Sequence, residues 1–152
     1  MQKLNLPDCA LRIENRNGQL KVFDTFRKLW VVLTPEEWVR QNFLHFLTKA
    51  KGYPGSLISV EKQVKVNGMQ QRFDFVVYNR IAKPLMVGEF KAPGIRINQD
   101  TFDQAVRYNG TLKAPFVLVS NGLDHFICRI DFEANRSDYL SEIPDFESIA
   151  ES

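Results

Sequence analysis

Apolar and polar residues alternate over two stretches near the middle of the chain. Ile58, Val60, Val64 and Val66 are interleaved with Ser59, Glu61, Gln63 and Lys65, and Phe73, Phe75 and Val77 with Arg72 and Asp74. A period of two belongs to a strand with one buried face. Asn67-Gly68 lies between the stretches and is a type I′ turn signal, so residues 57–79 predict a β-hairpin. "PLMVGEFKA" (84–92) predicts a third strand. "PFVLVSN" (115–121) is apolar without interruption and predicts a strand buried on both faces, while "HFICRID" (125–131) predicts a last one. Between them, "NQDTFDQAVRYNGTL" (98–112) carries Phe102, Ala105 and Val106 at helical spacing. The link from the third strand to residues 115–121 therefore predicts a parallel crossover.

Upstream, Trp38, Val39, Phe43, Phe46 and Leu47 form a helical stripe. Thr34 precedes Pro35 as an N-cap, Glu37 completes a capping-box pattern and Gly52 follows as a stop, which predicts a helix over 35–50. Residues 11–33 hold two short strand-like runs around Asn17-Gly18, read as an N-terminal β-hairpin. Trp30, Trp38 and Phe43 are expected in the core. The order predicts an α/β fold with a mixed sheet flanked by helices. In one domain of 152 residues, 34–130 form the core and 131–152 a tail with a short helix before Pro144.

Composition adds a charge asymmetry. Net charge is +2, but residues 131–152 hold seven acids and one base, a net −6 that leaves +8 on residues 1–130. A basic body with an acidic tail suits a polyanion partner, although on charge alone an ordinary solvated surface with a charged terminus is the favoured reading. The two cysteines, Cys9 and Cys128, form no CxxC pair and predict reduced thiols. The N-terminus lacks the apolar segment of a signal peptide and no run approaches membrane-spanning length, so a cytoplasmic protein is expected. His45 and His125 have no partner at zinc-ligand spacing and read as structural.

The chemistry sits where charges interrupt the strands. Alternation puts Glu89 and Lys91 on one face and Phe90 on the other. If residues 80–83 form a four-residue loop, Asn79 pairs with Pro84 and Asp74 lies opposite Glu89. The Asn67-Gly68 turn in the same way places Glu61 opposite Asp74. Opposed residues share a face with Cβ atoms about 5 Å apart, so Glu61, Asp74, Glu89 and Lys91 are expected on one patch. Like charges so placed repel, and a divalent cation such as Mg²⁺ relieves them. The chemistry that fits is metal-assisted phosphodiester hydrolysis, with Asp74 and Glu89 as ligands and Lys91 orienting or deprotonating water. A bare D…ExK spacing is also common in surface salt bridges.

The motifs "RFDFVVYN", "VGEFKAPG", "FDQAVRYN" and "VSNG", in this order, resemble the N-terminal nuclease domain of type I restriction enzyme R subunits, within the PD-(D/E)xK nuclease superfamily. "FDTFRKLWVVLTPEEWVRQ" is similar to small stand-alone bacterial members, and the resemblance covers roughly residues 12–130. It implies a restriction-endonuclease-like αβββαβ core and an Mg²⁺-dependent DNA endonuclease (Mn²⁺ substituting). Asp74 and Glu89 would be its metal ligands and Lys91 the ExK lysine. Gln104 and Tyr108 match a QxxxY element that helps place the site and the DNA. Glu37 sits where members carry a first-helix Glu near the metal, and has its capping role as an alternative. Glu61 stands as a further acid near the metal or as a salt bridge to Lys62 or Arg72. Arg96 and Lys113 flank the second helix and are candidates for phosphate contact or plain surface. Phe73 replaces the superfamily's Pro, and no GxxxxGK[ST] loop is present, so a motor or specificity protein, or a second copy, is an expected partner. The alternative is a non-catalytic DNA-binding or assembly module on the same fold.

Overall fold

A computed structural model describes all 152 residues. Its centre is one sheet of six strands: β4 (Ile58–Val66), β5 (Met69–Tyr78), β6 (Pro84–Phe90), β7 (Phe116–Ser120), β8 (His125–Asp131) and β9 (Arg136–Tyr139), hydrogen-bonded in that order. Only β6 and β7 run parallel, so the sheet is mixed as expected. Helix α1 (Pro35–Ala50) begins where Thr34 accepts a hydrogen bond from Glu37 N at 3.0 Å, with Pro35 in the first turn where its missing N–H costs nothing. Helix α2 (Gln99–Tyr108) links β6 to β7. It stops earlier than its polar pattern suggests because the buried Asn109 turns to bond Ala114, donating to its carbonyl at 2.8 Å and accepting from its N–H at 2.9 Å.

Two cores cover the two faces of the sheet. Val39, Phe43, Leu44 and Leu47 of α1 meet Phe75, Met86, Phe90 and Leu118 on one side. Phe102 and Ala105 of α2 meet Val76, Val87, Val117 and Cys128 on the other. All five residues of β7 are buried, in line with its unbroken apolar run.

Four expectations change. The segment 11–33 is a three-stranded antiparallel sheet rather than a hairpin: β1 (Ile13–Arg16), β2 (Gln19–Asp24) and β3 (Leu29–Val32). Asp24 closes the extra turn by accepting from Phe26 N at 2.7 Å and Arg27 N at 2.9 Å. Trp30 lies on the outer face of this sheet, with the guanidinium carbons of Arg12 and Arg16 at 5.1 and 4.6 Å from its ring, and so is not core. Trp38 is only partly buried and donates to Gln2 O at 2.7 Å, whereas Phe43 is fully buried. Residues 131–152 are not a loose tail. They supply β9 and a short α3 (Phe146–Ile149), placed after Pro144 rather than before it, and bury Ile143, Phe146, Ile149 and Ala150 in the α1-side core.

Candidate active site

Hairpin register places the acids. β4 and β5 pair Val66 with Met69 and Val60 with Phe75, and β5 and β6 pair Phe75 with Gly88. Continuing the second register by one residue sets Asp74 across from Glu89. The β5–β6 loop is not the simple four-residue turn expected. Tyr78, not Asn79, pairs with Pro84, and the register shifts by one between Val77 and Tyr78. Asn79 is drawn into the turn, its Oδ1 accepting from Ile81 N at 3.0 Å and Lys83 N at 2.9 Å. The irregularity stays at the loop end, so the strand interior keeps the facing pair.

Gly88 makes the approach possible. A Cβ there would overlap the ring of Phe75. That ring stacks on Phe90 at 5.3 Å, and Phe90 packs against Phe43 at 5.4 Å. Phe90 is thereby fixed in the α1-side core, and alternation turns Glu89 and Lys91 toward α2. Lys91 N continues the ladder beyond β6 by donating to Ser120 O at 2.9 Å.

Asp74 is 8% exposed and held at both oxygens. Oδ1 accepts from Arg40 at 2.7 Å and Oδ2 from Phe90 N at 2.5 Å. Arg40, buried on α1, also reaches Glu37 at 2.6 Å and Glu36 at 3.3 Å. Glu37 in turn accepts from Arg27 at 2.8 Å and Gln41 at 2.9 Å, and Arg27 binds Asp24 at 2.6 Å. A chain of alternating charge thus runs Asp24–Arg27–Glu37–Arg40–Asp74. Burial works against the Arg40 charge, but Asp74 and Glu37 outweigh it and hold the guanidinium protonated.

Glu89 has no such support. Burial raises its pKa well above the ordinary carboxylate range, and the neighbouring charge of Asp74 raises it further. Glu36 is raised by the same two causes, burial first and Asp74 second. Glu36, Asp74, Glu89 and Lys91 line one polar cleft of about 390 Å³ together with Gln63 and Arg72. A smaller recess of about 130 Å³ adjoins it through Arg72, Glu89 and Lys91, and is closed by Gln104 and Tyr108, which bond each other at 2.7 Å.

Of the residues singled out in the sequence, Asp74, Glu89, Lys91, Gln104 and Tyr108 are therefore brought together. Glu61 is not. It occupies its expected register position, but its φ of +58° turns it off the face, and it pairs with Arg27 at 3.4 Å and Arg72 at 3.9 Å. Glu37 is also corrected. Its carboxylate is spent on Arg27, Arg40 and Gln41, and neither closes the capping box nor lines the cleft. Arg96 and Lys113 are exposed and line neither cavity. Two residues the sequence reading passed over, Glu36 and Arg40, complete the site. Arg40 stands at i, i+3, i+4, i+7 with Phe43, Leu44 and Leu47, a spacing that puts it on the buried stripe. Both cysteines are free, and burial pushes the Cys128 thiol up to about 11, which leaves it inert.

No three His, Cys, Asp or Glu side chains cluster tightly enough to cage a metal ion by themselves. Asp74 and Glu89 nonetheless fit a hard cation that keeps most of its water and takes one or two carboxylates, as Mg²⁺ does. Repelled carboxylates with one cation-poor member are the donor set such an ion relieves.

The family model for the type I restriction enzyme R protein N terminus matches residues 35–144, more than two thirds of the chain. The chain belongs to this family. A search of the curated proteins returns no match. Among solved structures, a fragment described as an HsdR subunit of a type I restriction enzyme from Vibrio vulnificus YJ016 superposes with a TM-score of 0.55 at 22% identity. The match covers 77% of this chain but 24% of that one, so the chain spans about a quarter of its length, and at this identity the likeness shows the fold. The R-protein family match includes α1, the β4–β6 hairpins, α2 and the strands behind them, and so contains every residue of the cleft.

Proposed function

We propose that this chain is a metal-dependent nuclease domain of the PD-(D/E)xK type that hydrolyses phosphodiester bonds in DNA, with Mg²⁺ held by Asp74 and Glu89. The observation that carries the proposal is the facing pair: two carboxylates on adjacent strands, one tethered and one without a cationic partner, with Lys91 in the same cleft. Membership in the R-protein family supports DNA as the substrate and other subunits as partners.

Bound there, a divalent cation would supply an activated water and a counter-charge for the phosphodiester transition state. The chain's own residues do the positioning. Arg40 and Phe90 N fix the Asp74 carboxylate from two directions, which removes its rotational freedom before any ligand arrives. Lys91 has no carboxylate within salt-bridge distance, so its ammonium remains available to a scissile phosphate or an attacking water. Gln104 and Tyr108 form the opposite wall and offer an amide and a phenol hydroxyl to a sugar–phosphate strand. One such site cuts one strand, so cleavage of both requires a second copy or a partner subunit carrying motor or specificity functions.

Calorimetric titration with Mg²⁺ and Mn²⁺, paired with nicking of supercoiled plasmid, tests the reading. Wild type is expected to bind either ion and to nick; Asp74→Ala is expected to lose both, and Lys91→Ala to lose nicking while keeping metal. A wild-type protein that binds neither ion overturns the proposal and leaves a DNA-binding module without catalysis.

A further inference from the structure

A further cavity, of about 650 Å³, lies between the β2–β3 turn, the last turns of α1 and the 3-10 turn at Gly55–Leu57. Its polar lining is Thr25, Lys28, His45, Thr48, Lys49 and Ser56, with no carboxylate among its lining residues. Neither Lys28 nor Lys49 takes part in any of the chain's ion pairs. Asp24 lies nearby, but its oxygens are consumed by Phe26 N, Arg27 N and the Arg27 guanidinium. His45 is braced edge-on by Phe26 at 5.5 Å, and its Nε2 is buried with no hydrogen-bond partner. His45 lines the cavity, so its ring resonances report on a ligand bound beside it.

We propose that this cavity binds a phosphate group. Lys28, Lys49, Thr25, Ser56 and His45 line a space with no carboxylate in its wall, and ammonium, hydroxyl and imidazole groups are the donors a phosphate's oxygens take. Thr48 donates its own hydroxyl to His45 O at 3.1 Å and so shapes the helix turn that carries the imidazole. The volume exceeds what a lone phosphate needs and suits a nucleotide or a stretch of nucleic-acid backbone. The site is separate from the acidic cleft: from Glu36 to Thr48 the helix rises roughly 18 Å. It does not depend on the nuclease reading, because a non-catalytic DNA-binding protein would use it equally.

The chain has only two histidines, and His125 has both ring nitrogens engaged, with Ser120 Oγ at 2.7 Å and Asn5 O at 2.9 Å. Imidazole ¹⁵N–¹H spectra of the full chain therefore isolate His45, with His125 as an internal control. Inorganic phosphate and, separately, a short oligodeoxynucleotide are titrated into wild type, Lys28→Ala/Lys49→Ala and Lys28→Arg/Lys49→Arg. Both lysines are exposed, so the alanine variant is expected to keep its fold, which amide spectra check. The expected result is a saturable His45 shift that weakens about tenfold or more in the alanine variant and returns in the arginine one. Tighter binding of the oligonucleotide than of phosphate identifies the nucleic-acid backbone as the source; equal binding identifies a small phosphorylated ligand. No shift with either probe, or a shift unaltered in the alanine variant, overturns the proposal.

Discussion

Glu89 carries a charge that the fold penalises, first by burial and then by Asp74 across the strand. Its folded pKa therefore lies above its unfolded one, and the folded state binds the extra proton. By linkage, the stability this contributes is complete below the ordinary glutamate range and is lost as pH rises through the raised folded value. Urea unfolding of metal-free protein between about pH 6 and about pH 8 is expected to show a falling midpoint, and Glu89→Gln is expected to flatten that fall. An unchanged slope in the variant would place the proton elsewhere. At this scale Asp74, Glu89 and Lys91 were legible because strand alternation is a local rule, and the β5–β6 turn, although not the four-residue loop expected, keeps its irregularity at the loop end. Arg40 was not, since an Arg four residues after Glu36 also reads as a surface i, i+4 pair; its tertiary partner, Asp74, lies 34 residues away. Glu37 was misread for the converse reason, a complete local explanation that a tertiary network displaced.

Among the elements, β6 is the one whose composition has a single explanation. Gly88 is normally a poor strand residue, yet here its missing side chain is where the Phe75 ring lies. Gly88→Ala is expected to push Phe75 off Phe90 and loosen the Phe90 N–Asp74 bond. The expected cost is about 1–3 kcal/mol of stability, measured by chemical denaturation, the range of a strained overpacked core. A neutral result would show that the stack can slide without consequence. Both hairpins followed from Asn-Gly turns and period-two patterning, and α1 from its cap and stripe. What stayed hidden were departures that side chains impose on backbone: the left-handed Glu61 drawn to Arg27, the Asn79 turn, and β3, whose turn depends on Asp24.

For the molecule as a whole, the acidic C-terminal segment changes meaning. It makes two ion pairs with the rest of the chain, Glu147 with Arg80 and Asp145 with Lys51, and one within itself, Arg136 with Asp138. Its apolar residues matter more: Phe146 is fully buried, meets Tyr53 edge-on at 5.5 Å, and its N–H donates to Lys51 O at 2.9 Å. Phe146→Ala is expected to cost about 3–5 kcal/mol in thermal or urea unfolding, as for other core aromatics. A cost near zero would return the segment to the status of a dispensable tail. No helix is long and apolar enough to cross a membrane.

Loop lengths also predict an order of assembly around the alternating-charge chain. The β5–β6 hairpin closes over a short loop and can form early, whereas Arg40 must arrive on α1 across a long span of sequence. A hairpin closed before the helix docks would hold its two carboxylates together without Arg40, with Lys91 and Arg72 as its own nearby cations. Protonation of Glu89, or a passing cation, then favours hairpin closure, so folding speed is itself expected to respond to acidity and to divalent ions before any substrate is met.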